Sequence, residues 1–191
     1  MVRGFTLPEL LVVAFIMVML TTLAVANYRT GEEQYLIRAE ARRLAMEIQR
    51  VREMGISARE VESPTSGYPF VPQGGYGMHI EAGPPLVIFT FLDCNNNARF
   101  NPMGKPCIVG IDSFGEGDIS KTVELDERVQ VEDIQPGGFP LDIVFEPPDP
   151  TVSIRTGGGF QSEVNIILSL KADPSRKATI TINSSGLVYV E

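Results

Sequence analysis

From Leu10 to Ala26 the chain reads LLVVAFIMVMLTTLAVA, 17 residues without a charge. No other feature limits so strongly what this chain can become. Extending back to Phe5 gives 22 residues, among which Glu9 is the only charged one. At about 1.5 Å of rise per residue, roughly 20 apolar residues cross a hydrocarbon core of about 30 Å. Residues 5–26 therefore read as a transmembrane helix. The segment before it, Met1-Val2-Arg3-Gly4, is short and basic. Arg3 is expected to stay cytoplasmic, which puts everything after Ala26 outside. Arg29 on the far side weakens that charge bias, so the orientation rests on the short leader. The competing reading is a secretory signal peptide, with Thr22-Leu23-Ala24 or Ala24-Val25-Ala26 as its small-residue cleavage site. Such a peptide would carry Glu9 inside its apolar stretch. A carboxylate at that depth costs a few kcal/mol and marks a functional position by default.

The remaining length, within 191 residues in all, suffices for one domain with its own core. At 43% hydrophobic the chain is too apolar for disorder. A net charge of −8 and a pI near 4.8 give no global positive field for nucleic acid. One His and two Cys leave little material for a metal site or a His-based triad.

Beyond Asn27-Tyr28-Arg29-Thr30-Gly31 a helical pattern resumes. Ile37, Ala41, Leu44, Ile48, Val51 and Gly55 recur at steps of three and four and form one face. Glu32, Glu33, Arg38, Glu40, Arg42, Arg43, Glu47, Arg50, Arg52 and Glu53 fill the other positions, which reads as a solvated face with mixed charges. Residues 27–62 thus form an amphipathic continuation of the helix, ending between Ile56 and Glu62, before Ser63-Pro64. A Pro/Gly-rich linker follows over 63–75. Strands are predicted near Tyr76–Glu81, Leu86–Leu92, Lys121–Leu125, Val129–Ile134, Leu141–Phe145, Thr151–Arg155, Glu163–Leu170, Ala178–Ile182 and Leu187–Val190. Asn183-Ser184-Ser185-Gly186 supplies the last hairpin turn. One long helix followed by antiparallel strands is an α+β arrangement.

Gly4-Phe5-Thr6-Leu7-Pro8-Glu9-Leu10-Leu11-Val12-Val13 resembles the class III signal of type IV pilins and type II secretion pseudopilins. The resemblance implies that a prepilin peptidase cuts between Gly4 and Phe5 and methylates the new amine of Phe5, so that residues 1–4 are a leader. It implies that Glu9 pairs with the N-terminal amine of a neighbouring subunit and sets the axial register of assembly. The alternative is that Glu9 snorkels to the cytoplasmic headgroups. Pro8 departs from the aliphatic residue common there, but proline is tolerated in a first helical turn.

Gly75-Tyr76-Gly77-Met78-His79, then Phe89-Thr90-Phe91-Leu92-Asp93 with its Asn-rich loop, then Thr179 to Val190 are similar to the GspH/FimT-type minor pilin domain. This implies a pilin fold, a β-sandwich-like domain over 76–191 packed on the second half of the helix. It also implies a minor pilin or pseudopilin that helps initiate or cap a type II secretion pseudopilus or type IV pilus. Such a subunit is not an enzyme. Its partners would be other pilins, the inner-membrane assembly platform and membrane lipid. Its place would be the bacterial inner membrane, with the C-terminal domain periplasmic. Because FimT-type pilins can bind DNA, Lys171, Arg176 and Lys177 are a candidate DNA contact, three cations within seven residues.

Asp93, Asn95, Asn97 and Asn101 stand at positions 1, 3, 5 and 9 of a partial calcium-loop spacing. Ala98 stands where glycine is wanted, and Gly104 where a bidentate Glu is needed. A weak calcium site, completed by Asp112, Glu116 or Asp118, is weighed against a polar turn built on side-chain-to-backbone bonds. Cys94 and Cys107 flank the loop with 12 residues between them. In an oxidising compartment they are expected to form a disulfide, the alternative being two buried thiols. His79 is expected to be a structural or surface residue, and Gly157-Gly158-Gly159 a turn.

Overall fold

The computed structural model describes residues 6–62, 68–83, 86–100, 122–147 and 151–191. The chain divides into two compact units, Met1–Leu36 and Ile37–Glu191. Helix α1, Leu7–Ile56, contributes to both. Among the described residues the other regular elements are antiparallel strands, so the fold class is α+β.

In the first unit the helix residues Leu7–Ala24 have a mean hydropathy of 2.2 and none is buried. The two threonines of this run cost little in an apolar medium, because each hydroxyl is satisfied within the helix. Thr21 donates to the Met17 carbonyl and Thr22 to that of Val18, each at 2.7 Å.

In the second unit the helix is amphipathic. Ile37, Ala41, Leu44, Ile48 and Val51 are all buried, on the face their spacing predicts. Each larger side chain so buried contributes about 1.5–3 kcal/mol. Gly55 completes the stripe where the helix comes closest to a strand. A β-carbon there would sit 2.9 Å from Phe145 Cβ and 3.0 Å from the Phe145 carbonyl oxygen. Glu40 corrects the expected solvated face. It is buried, and its carboxylate accepts the Asp126 N–H at 3.3 Å and an Arg43 N–H at 3.4 Å. The helix stops at Ile56 through paired terminal bonds. Arg59 N–H reaches the Met54 carbonyl and Ala58 N–H the Gly55 carbonyl, with Ala58 at a φ of 42°. This left-handed closure satisfies the last carbonyls. The Tyr76 phenol donates to the Arg59 carbonyl just beyond, and burial pushes that phenol's pKa up to about 12.

Two short strands, β1 (Val61–Glu62) and β2 (Pro69–Phe70), pair with each other. Strand β1 corrects the end of 27–62, read as helix, and β2 corrects the reading of 63–75 as linker alone. Residues 63–67 of that stretch lie outside the described residues. The five-stranded sheet is built from β3 (Gly75–Glu81), β4 (Val87–Asp93), β6 (Leu141–Glu146), β7 (Thr151–Thr156) and β8 (Gly159–Gln161), in the order β4-β3-β6-β7-β8. The four-stranded sheet holds β5 (Val129–Gln135), β9 (Glu163–Leu170), β10 (Lys177–Asn183) and β11 (Val188–Val190), in the order β11-β10-β9-β5. Among the described residues every pairing is antiparallel. Strand β8 was expected only as part of a turn. It forms because Gly159, at a φ of 105°, closes a tight hairpin that sets Thr156 opposite it.

The predicted strand Lys121–Leu125 is reduced to an isolated bridge between Thr122 and Phe89, with Val123 N–H on the Ile88 carbonyl at 2.8 Å. Lys121 lies outside the described residues. The segment leaves the β4 edge at once, because Asp126 N–H turns to Glu40 instead of continuing the ladder. Strand β5 carries a bulge between Val131 and Asp133. The bulge bends this edge strand and projects Glu132 toward Lys177.

Strand β3 is buried on both faces. Tyr76, Met78 and Ile80 point one way, and Gly77 and His79 the other. The second face is covered by aromatic side chains from β4 and the loop after it. Phe91, Ala98 and Val144 form a small core, with Phe89 and Phe100 packed against it. Glycine at 77 is required there, since a β-carbon would fall 2.4 Å from the Phe91 ring.

Candidate functional site

Three places carry the residues that the sequence singles out.

The first is the N-terminal end of α1. Gly4 and Phe5 lie outside the described residues. Glu9, in the first turn, folds back on Thr6. Its Oε2 accepts the Thr6 backbone N–H and the Thr6 hydroxyl, each at 2.8 Å. The Thr6 carbonyl in turn accepts the Leu10 N–H. This is the carboxylate half of a capping box, in which the third helical residue satisfies the N-cap backbone donor, with the N-cap hydroxyl donating to the same oxygen. The pattern Thr-x-x-Glu was present in the sequence as its signal. The same carboxylate is also the one acid within the unburied apolar span.

The second is the loop after β4. Asp93 is almost wholly buried. Its Oδ2 accepts the Ala98 N–H at 2.7 Å, and its Oδ1 accepts those of Asn95 at 3.2 Å and Asn97 at 3.4 Å. Burial raises its pKa above the ordinary value, and these N–H bonds oppose the rise. Asn97 Oδ1 accepts the Arg99 N–H at 2.9 Å. The geometry is a turn organised by side-chain-to-backbone bonds, with Asn96 and Ala98 at positive φ. Asn95 is half-buried, with its Oδ1 unpaired among the described residues. Asn101, Asp112, Glu116 and Asp118 lie outside the described residues. Among the described residues no group of three or more acidic, His or Cys side chains converges as a metal cluster. Cys94 is disulfide-bonded. The chain's other cysteine, Cys107, lies outside the described residues.

Under this loop lies His79, which the structure shows to be structural and buried. Its Nδ1 is 2.7 Å from Asp142 Oδ1. The same oxygen takes the Phe100 N–H at 3.2 Å. The rings of Phe89 and Phe100 flank the imidazole at centroid distances of 5.1 and 4.7 Å. Sequence reasoning missed Asp142, which stands in a strand 63 residues away with no local motif to mark it.

The third place is the basic trio. Lys177 Nζ is 2.7 Å from Glu132 Oε1 and Arg176 Nε is 3.0 Å from Asp173 Oδ2. Lys171 gives its backbone N–H to the Arg128 carbonyl. The adjacent Asp126 is held down to about 2 by hydrogen bonds from Arg128, with Lys171 adding a smaller charge effect. Two of the three cations are thus matched by carboxylates.

No protein-family model, curated protein or solved structure matches the chain.

Proposed function

We propose that this chain is a membrane-anchored minor pilin or pseudopilin of the GspH/FimT type. In that reading it is a structural subunit, not an enzyme, that helps start or cap a type II secretion pseudopilus or a type IV pilus. The reading includes the pilin fold, a cytoplasmic N-terminus, a periplasmic C-terminal domain, cleavage after Gly4 and methylation of Phe5. The observation that carries it is Glu9: an acid in the first turn of a helix whose Leu7–Ala24 span is apolar and unburied. Lipid gives no hydrophobic drive for helix association, so packing and polar contacts must set how such helices dock. A carboxylate paired with a neighbour's amine supplies an axial register that apolar side chains cannot. Support also comes from the amphipathic second part of α1, which buries its apolar stripe in an antiparallel β domain.

The DNA-contacting alternative is weaker, because Arg176 and Lys177 already face carboxylates on a chain of net charge −8.

Glu9→Leu tests the proposal. The variant is more apolar and should insert and be cleaved normally. It should remain in the inner membrane and fail to support assembly or secretion. Wild-type assembly by Glu9→Leu would overturn the register role.

A further inference from the structure

A cleft of about 520 Å³ opens between the turn end of the β3–β4 hairpin and the edge strand β5. Ala82 and Leu86 line one side and Val129 to Val131 the other, with Lys171, the first residue after β9, beside them. Ala82 and Lys171 are exposed, Leu86 and Gln130 half-buried, and Val129 and Val131 buried. The cleft thus runs from solvent down to aliphatic groups of the core.

Its lining selects what fits. The volume lies within the range of small-molecule sites, about 300–1,000 Å³. The walls are aliphatic and offer no aromatic ring for a planar base to stack on. Gln130 is fixed as part of the wall, because its Nε2 donates to Ser169 Oγ at 3.2 Å. Lys171 is the one charged residue in the lining. It is also the member of the basic trio that no carboxylate pairs with among the described residues. Asp126 feels its charge, but that carboxylate is already held by Arg128 Nε at 3.0 Å and Nη2 at 3.1 Å. The Lys171 stem starts from a fixed point, since its backbone N–H donates to the Arg128 carbonyl at 2.9 Å. One ammonium beside an aliphatic cleft complements a molecule with an alkyl body and a single anionic end.

We propose that this cleft binds a medium-chain aliphatic carboxylate. The alkyl chain lies between Ala82–Leu86 and Val129–Val131, and the carboxylate accepts from Lys171 Nζ. Burial of the chain supplies the affinity. The ammonium supplies selectivity for the anion over a neutral molecule of the same length.

The test uses the full-length chain in nanodiscs of zwitterionic lipid, so that no detergent competes for the cleft, with octanoate as the probe. Methyl resonances of Ala82, Leu86, Val129 and Val131 read the site directly. Octanoate should shift them saturably with a Kd of about 1 mM or tighter, leaving Val164 and Ile182 in the same domain unmoved. Octanol, which lacks the charge, and acetate, which lacks the chain, should each bind at least about 10-fold more weakly. Lys171→Gln changes an exposed side chain and should weaken octanoate about 10-fold while leaving octanol unchanged. Ala82→Trp, on the exposed rim, should block both. Unmoved cleft methyls in the folded wild type would overturn the proposal. So would equal affinity for octanoate and octanol, or octanoate held as tightly by Lys171→Gln. Shifts confined to the Leu7–Ala24 span would be partition into lipid, which also overturns it.

Discussion

The Glu9 carboxylate and Thr6 are joined twice, through the Thr6 backbone N–H and its hydroxyl, at 2.8 Å each. Glu9 therefore has a role within its own helix as well as the one proposed between subunits, and the two can be separated. Thr6→Ala removes the hydroxyl but leaves the backbone donor and the carboxylate. It should loosen the first helical turn and leave assembly within about two-fold of wild type, since the charge that sets register survives. Glu9→Leu should abolish assembly. The readout is the amount of subunit recovered in sheared filaments relative to membrane. Equal loss in both variants would show that capping, and not pairing with a neighbour, is the role of the acid.

One substitution, Gly to Ala, should have opposite signs at two positions of α1. At Gly31 nothing lies within 4 Å of an added β-carbon. The helix should gain up to about 1 kcal/mol locally, slowing hydrogen exchange of the neighbouring amides by up to about five-fold. At Gly55 the new methyl meets Phe145 Cβ at 2.9 Å and its carbonyl oxygen at 3.0 Å. Neither atom can swing away as a long side chain would. Overpacking of this kind costs about 1–3 kcal/mol, which exceeds the propensity gain. Thermal unfolding of Gly55→Ala should therefore show a lowered Tm.

The acid side of the stability profile should show terms of both signs. Asp93 has a folded pKa raised above its ordinary 3.8 by burial. The folded state then holds the proton more tightly, so this group's contribution falls as pH rises through the range just above 3.8. Asp126, held down to about 2 by Arg128, and Asp173, lowered by Ser175 and Arg176, work the other way. Their contribution is present above 3.8 and fades as pH falls; both are solvent-facing, so screening keeps it small. Asp93→Asn supplies one acceptor oxygen in place of two and leaves a buried N–H unpaired, at a cost of about 1–3 kcal/mol. Its deficit against wild type should be largest below the ordinary carboxylate range and narrow as pH rises. Denaturant midpoints measured across that range check both size and sign. A deficit that widens with pH would contradict the burial of Asp93.

Periodicity made much of this fold legible before any coordinates. The stripe Ile37, Ala41, Leu44, Ile48, Val51 is buried as its spacing requires, and the strand Glu163–Leu170 has the bounds its alternation predicts. What stayed hidden depends on partners remote in sequence. Glu40 sits among charged neighbours and reads as solvated, yet it is buried by an N–H 86 residues away. The two-sided burial of β3 depends on Phe100 folding back over His79, and the anchoring of that imidazole depends on Asp142. No spacing within a window of 10 or 20 residues encodes either contact. The strand near 121–125 failed for a related reason. Its residues have β propensity, but strand formation is decided by the edge available, and among the described residues only Thr122 and Val123 meet it. The Thr6–Glu9 cap went unread although its signal is local, Thr6 preceding Glu9 by three residues, because the charge in an apolar run drew the reading to a partner outside the helix.

The mass of the mature chain tests the central claim most directly. The protein, expressed with its cognate prepilin peptidase and extracted from membranes, should start at Phe5. It should have lost Met1 to Gly4 and carry one methyl group on its N-terminal amine, with the apolar span Leu7–Ala24 retained. A chain that begins near Asn27, or one that keeps Met1 to Gly4 in the presence of the peptidase, would contradict the account.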